Sequence, residues 1–121
     1  MHSILIVDDS AMIRHSLRLW IEQTLQCKVC GEADNGQSAI EKVEELRPDI
    51  VIMDFQMPVM NGLEASRSIL RRSPGTAIVM FTMHPSPQLM RAALEAGIRD
   101  VVSKTDSLAD HFSVAMQQIL A

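Results

Sequence analysis

At 121 residues the chain is long enough for one domain with a real core and too short for two, so residues 1–121 are read as a single domain. With 47% apolar and 21% charged residues it has the balance of an ordinary globular protein, and a net charge of -4 argues against a nucleic-acid surface, which is normally basic. Apolar runs of four or five residues are far short of the ~20 that cross a bilayer. Met1-His2-Ser3 lacks the basic start and apolar core of a signal peptide, so a cytoplasmic protein without membrane contact is expected.

Five short, mostly non-alternating apolar runs read as strands buried on both faces: Ser3 to Val7, Lys28 to Ala33, Ile50 to Asp54, Thr76 to Phe81 and Asp100 to Ser103. Segments with helical spacing separate them. Ile13, Leu17, Trp20, Ile21 and Leu25 form a stripe behind the N-cap candidate Ser10. Ala39, Val43 and Leu46 form a second, stopped near Pro48, and Leu63, Ile69 and Leu70 a third behind Asn61. Met90, Ala93 and Leu94 precede Gly97, which suits the left-handed position after a helix. Leu108, Phe112, Ala115, Met116 and Ile119 make a last helix behind Asp106 or Ser107. Strand and helix thus alternate five times. Because crossovers between parallel strands are right-handed, a five-stranded sheet with helices on both faces follows: an α/β, doubly wound, three-layer sandwich.

Cys27 and Cys30 have the spacing of a redox pair, but they follow a helical stretch and run into a strand. In extended chain three residues span ~10 Å and place the two side chains on opposite faces, beyond the ~7 Å Cα separation a disulfide tolerates. No further cysteines or clustered histidines complete a zinc site, so two reduced, packed thiols are expected.

Polar chemistry collects at the strand ends. The first run ends in Asp8-Asp9, the third in Asp54, the fourth in Thr82 and the fifth in Lys104. If the strands are parallel, these groups share one edge of one sheet, where open α/β folds place ligands. Crowded carboxylates repel, and Mg²⁺, which favours carboxylate, carbonyl and phosphate oxygens, relieves the repulsion. A lysine and a hydroxyl opposite them suffice to cradle a phosphoryl group, whose transfer depends mainly on positioning and charge neutralisation. A carboxylate can itself be the nucleophile and form an aspartyl phosphate. Singly, each residue has a bland reading: the acids as caps, Lys104 as a solvated surface charge, Asn61-Gly62 as a turn. It is their coincidence at one edge that points to a site.

Over essentially its whole length the chain resembles the receiver domain of bacterial two-component response regulators. The resemblance rests on Asp8-Asp9, Asp54 with Met57-Pro58 and Asn61-Gly62, Thr82 and Lys104. It implies the flavodoxin-like (CheY-like) fold with strand order 2-1-3-4-5 and five helices. It further implies that Asp54 accepts phosphate from a sensor histidine kinase or phosphotransfer protein. Asp9, Asp54 and the backbone carbonyl of Gln56 would bind Mg²⁺, with Asp8 supporting it through water. Thr82 would hydrogen-bond the phosphoryl group, and Lys104 would pair with it. The segments Val29 to Gly36 and Gly62 to Ala65 are similar to receivers that precede LuxR-type helix-turn-helix domains. The chain stops soon after its last helix, so either an isolated receiver of a transcription factor or a stand-alone receiver is expected. The family's output face is the fourth helix, fifth strand and fifth helix, here including Arg91, Arg99 and Asp110, through which a homodimer or a partner protein would be engaged.

Three departures from the family pattern bear on mechanism. Val101 stands where receivers usually carry a Tyr or Phe that turns inward with the threonine, and valine is too short and stiff to do so. Thr105 replaces the proline that often follows the lysine. Met83 stands where a small residue is common; with His84 and Gln56 it flanks the phosphoryl position, which leads to an expectation of slow self-dephosphorylation. His2, His15 and His111 have no second ligand at helical spacing and read as surface residues. Three function classes compete: a phosphoacceptor switch, a pseudo-receiver uncoupled at Val101, and a phosphohydrolase. The last would need an acid-base residue two positions after the nucleophile, where Gln56 stands. The chain is therefore expected to promote only its own phosphorylation and dephosphorylation and not to be an enzyme.

Overall fold

The computed structural model describes residues 1–121. Its strands are β1 (Ser3–Val7), β2 (Lys28–Ala33), β3 (Ile50–Met53), β4 (Ala77–Thr82) and β5 (Asp100–Ser103). They pair in parallel in the order β2-β1-β3-β4-β5, as expected for a doubly wound sheet. β3 closes at Met53, one residue before Asp54, and β4 is shifted by one residue so that Thr82 is its last member. Both shifts follow from pairing register, which residue type alone does not set.

The helices are α1 (Ala11–Trp20), α2 (Gly36–Leu46), α3 (Gly62–Arg72), α4 (Pro87–Ala96) and α5 (Ser113–Leu120). Side-chain caps on Ser10, Asn35, Asn61 and Ser86 start the first four, each accepting from a backbone N–H three residues on. A cap of this kind contributes about 1 kcal/mol. α1 runs on into a wider π-helical turn, Ile21–Leu25, and a similar turn, Leu108–Phe112, leads into α5 behind the cap Ser107. Gly97 ends α4 at φ 100°, the left-handed geometry expected of it.

Alternation along the strands divides the core into two layers. Leu5, Val7, Val51, Met53, Ile78, Met80 and Val101 face α2, α3 and α4. Ile4, Ile6, Ile50, Ile52, Val79, Phe81 and Val102 face α1 and α5. Two helical stripes differ from the sequence reading. α4 buries Leu89 and Ala93 while Met90 and Leu94 are 38% and 51% exposed, and Leu46 lies exposed at the end of α2. On α4, Leu89 and Ala93 are four residues apart and so stack on one face, whereas Met90 and Leu94 lie one step round the helix. Cys27 and Cys30 are free thiols packed against opposite layers, as the extended spacing implied. No helix is long and apolar enough to cross a membrane.

Candidate functional site

Register brings the strand ends level. Val7 pairs with Met53 and Met53 with Met80, so Asp8 and Asp54, each one residue further, emerge side by side. The Asp54 N–H donates to the Val7 carbonyl at 2.9 Å, continuing the ladder by one bond. Thr82 pairs with Ser103, and the Lys104 N–H donates to the Thr82 carbonyl at 2.8 Å, which sets the lysine beside the acids.

Asp8 is the most constrained of the three acids. Its Oδ1 accepts from the Ser10 N–H at 2.9 Å, and Arg14 donates to its main-chain carbonyl at 2.7 Å. Lys104 Nζ lies 2.6 Å from Asp8 Oδ2 and 3.2 Å from Asp54 Oδ1. All three side chains are nearly buried, the lysine 7% exposed. Asp9 is exposed, yet carboxylate oxygens of Asp8, Asp9 and Asp54 all lie within 4.8 Å of one another. Burial raises the Asp54 pKa to about 6, the Asp8 charge adds to the rise, and Lys104 opposes it. One ammonium thus faces two buried carboxylates with a third, exposed one beside them, an excess of negative charge that invites a hard divalent cation. The donor set, carboxylate oxygens at a water-accessible opening, suits Mg²⁺.

The opening is a cleft of about 290 Å³ lined by Asp9, Asp54, Gln56, Thr82, Met83 and Lys104. Every site residue singled out in the sequence is therefore gathered here, with Asp8 behind the lining. Met83 is 48% exposed and lines the cleft, as its place beside the phosphoryl position implied. His84 is exposed beside it in the chain, while His111 pairs with Asp100 at 2.8 Å away from the cluster.

Three supports were not legible beforehand. Gly62 begins α3 against the backbone of Asp54; a Cβ there would overlap the Asp54 carbonyl oxygen, so only glycine lets the helix seat this close. Its N–H donates to the Phe55 carbonyl at 2.8 Å, closing the loop over residues 55–61. Within that loop Val59 sits at φ 73° with 82% of its surface exposed, an unusual conformation for a β-branched residue. Arg14 and Arg18 also share Glu32 on the neighbouring edge strand, at 2.8 and 2.7 Å. Burial favours the neutral Glu32, but the hydrogen bonds and charges of Arg18 and Arg14 outweigh it and lower the pKa.

Comparison with known proteins agrees with this geometry. The response regulator receiver domain family matches residues 4–113. The chain is 39% identical over 107 residues to the transcriptional regulatory protein YdfI of Bacillus subtilis, covering 88% of this chain and 50% of that protein. It therefore spans about half the length of that relative. It is 40% identical over 101 residues to the chemotaxis protein CheY of Thermotoga maritima, covering 84% and 83% of the two chains. A LuxR-family two-component response regulator from Aurantimonas sp. SI85-9A1 superposes with a TM-score of 0.92 at 31% identity, covering 99% of this chain and 86% of that one. The match over residues 4–113, on this sheet order, shows that the chain belongs to the response regulator receiver domain family, whose members carry two-component phosphorelay signals, and the chain is similar to the receivers of LuxR-type regulators.

Proposed function

We propose that Asp54 is the phosphoacceptor of a cytoplasmic, Mg²⁺-dependent phosphorelay, receiving a phosphoryl group from a sensor histidine kinase or phosphotransfer protein. The carrying observation is the lysine placed between two buried acids, 2.6 Å from Asp8 and 3.2 Å from Asp54, beneath an open cleft. An Asp54 carboxylate oxygen attacks phosphorus as the bond to the donor imidazole breaks. The electron pair stays with the imidazole nitrogen, and because the donor ring carries a proton on its other nitrogen it is left as neutral imidazole. The pKa near 6 leaves Asp54 mostly ionised at neutral pH, as a nucleophile must be.

Asp9, Asp54 and the Gln56 carbonyl would hold Mg²⁺, with Asp8 behind them; bound there, the ion neutralises charge on the transferring group. Lys104 is poised to leave Asp8 for the added phosphoryl charge, and Thr82, buried in the lining of the cleft, would donate its hydroxyl to a phosphoryl oxygen. Gln56 supplies no proton-transfer group, so the chain acts on itself and releases no other product. The phosphorylated domain would switch an output domain or a partner through α4, β5 and α5, where Met90, Leu94 and Arg91 are exposed.

The test is intact-mass spectrometry after incubation with acetyl phosphate and Mg²⁺, with Asp54→Ala beside wild type. A single phosphoryl adduct in wild type alone, lost when Mg²⁺ is chelated, is expected. Equal adduct on both proteins places the acceptor elsewhere.

A further inference from the structure

Valine at position 101 removes the aromatic ring that would move on the α2-α3-α4 side of the sheet, and Val101 is 2% exposed in that layer with nothing to rotate. The rings of this domain lie on the other side. Phe81 immediately precedes Thr82 and points into the α1-α5 layer. Lys104 Nζ stands 5.9 Å from the centroid of the Phe81 ring, within reach of a cation–π contact. Phe81 meets Phe112 at 5.5 Å with the planes tilted by 49°. Phe112 in turn meets Trp20 edge to face, at 5.5 Å and 63°. A continuous chain of contacts therefore runs from the phosphoacceptor cluster to the far end of α1.

Two features give this chain room to move. A cavity of about 180 Å³ adjoins Phe81, lined also by Ile13, Leu17, Lys104 and Leu108, so the ring has free volume on one flank. Phe112 closes the irregular turn Leu108–Phe112, in which Asp110 departs from helical geometry at ψ -115°. That turn begins four residues after Lys104, so the lysine and the ring are coupled through the backbone as well as through Phe81.

We propose that Phe81, Phe112 and Trp20 form the conformational relay of this domain, in place of the ring absent at position 101. The proposal rests on Asp54 being the phosphoacceptor. A phosphoryl group carries about -1.5 to -2 charge at neutral pH, against -1 for the carboxylate it modifies. It therefore draws the Lys104 ammonium from its position shared between Asp8 and Asp54. The ammonium leaves the face of Phe81, the ring shifts into the adjoining cavity, and Phe112 and Trp20 repack between α1 and α5. The signal accordingly reaches the α1-α5 side of the sheet.

Trp20 is the single tryptophan, and it lies at the end of α1 remote from the cluster, ~15 Å along a helix rising 1.5 Å per residue. Direct quenching by a ligand at Asp54 is excluded at that distance. The experiment adds beryllofluoride and Mg²⁺, reading Trp20 emission and, by fluorine NMR on the same samples, bound beryllofluoride. Wild type is expected to change its emission on binding. Phe81→Leu and Phe112→Leu, each checked for folding by circular dichroism, are expected to bind beryllofluoride with the emission change lost. Val101→Ala, on the opposite face, is expected to keep it. Binding in wild type without an emission change overturns the relay, as does an undiminished change in Phe81→Leu. Absence of bound beryllofluoride in wild type overturns the phosphoacceptor reading, and the relay falls with it.

Discussion

The two ends of the sheet carry comparable amounts of charge and use it differently. At the end where the strands begin, a cleft of about 470 Å³ is lined by His2, Arg47, Asp49, Arg72 and Arg99 among others. Those five side chains belong to exposed residues, and Arg72 pairs with Glu44 in solvent. At the end where the strands finish, the cleft is smaller, about 290 Å³, but Asp8, Asp54 and Lys104 are withdrawn from water. Water screens the first set, so each charge there acts nearly alone. Burial couples the second set, so that changing one member alters the others. What distinguishes the end that carries the proposed site is charge held out of solvent, and neither cleft size nor the number of ionisable groups sets it apart.

The sharpest break in that contrast is Lys104→Met. It leaves two buried acids without their cation, and phosphoryl transfer from acetyl phosphate is expected to slow by ~10²-fold, read as the rate of adduct formation. The metal-free variant is also expected to lose about 3 kcal/mol in a urea titration, a loss that Mg²⁺ narrows. Unchanged stability without metal means that the Lys104 contacts do not offset the burial of the acids.

Asp54→Asn acts in the opposite direction on stability. The folded-state pKa of about 6 lies above the unfolded value, so the metal-free native state holds a proton more tightly than the unfolded chain. Wild type should therefore lose stability as pH rises from about 4 to about 6, and no more from this group above that. Because the cleft admits some water, the effect is expected to be about 1–2 kcal/mol. Asp54→Asn should be more stable than wild type by that amount at pH 7 and equal to it near pH 4, in denaturant titrations without metal. An equal gain at both pH values contradicts a titration origin.

Val59→Gly is expected to stabilise the domain by about 1 kcal/mol or less, since relief of the left-handed φ of 73° is partly offset by the freer unfolded chain. A melting temperature below that of wild type shows that the valine makes a contact worth more than the strain. At the solvated end, Arg72→Ala is expected to shift stability by less than about 0.5 kcal/mol, despite the ion pair with Glu44. A larger loss blurs the distinction between the two ends.

The alternation of short apolar runs with helical stripes, the caps at Ser10 and Asn61, and the gathering of Asp8, Asp9, Asp54, Thr82 and Lys104 were all legible in the chain. Each follows from local rules of period and residue type, and parallel strands carry every C-terminal residue to the same edge. Resemblance to receivers supplied the strand order, which periodicity alone leaves open. Other features required the packed structure. The buried side of α4 passed to Leu89 because a helix with apolar residues at adjacent positions has more than one candidate face, and only contact with the sheet selects one. The close seating of Gly62 on Asp54, the left-handed Val59 and the tighter pairing of Lys104 with Asp8 are distances between segments remote in sequence. The same holds for the file of rings from Phe81 to Trp20. Sequence determined which groups meet at the end of the sheet; tertiary packing decided how far each is withdrawn from water, and so which of them govern one another.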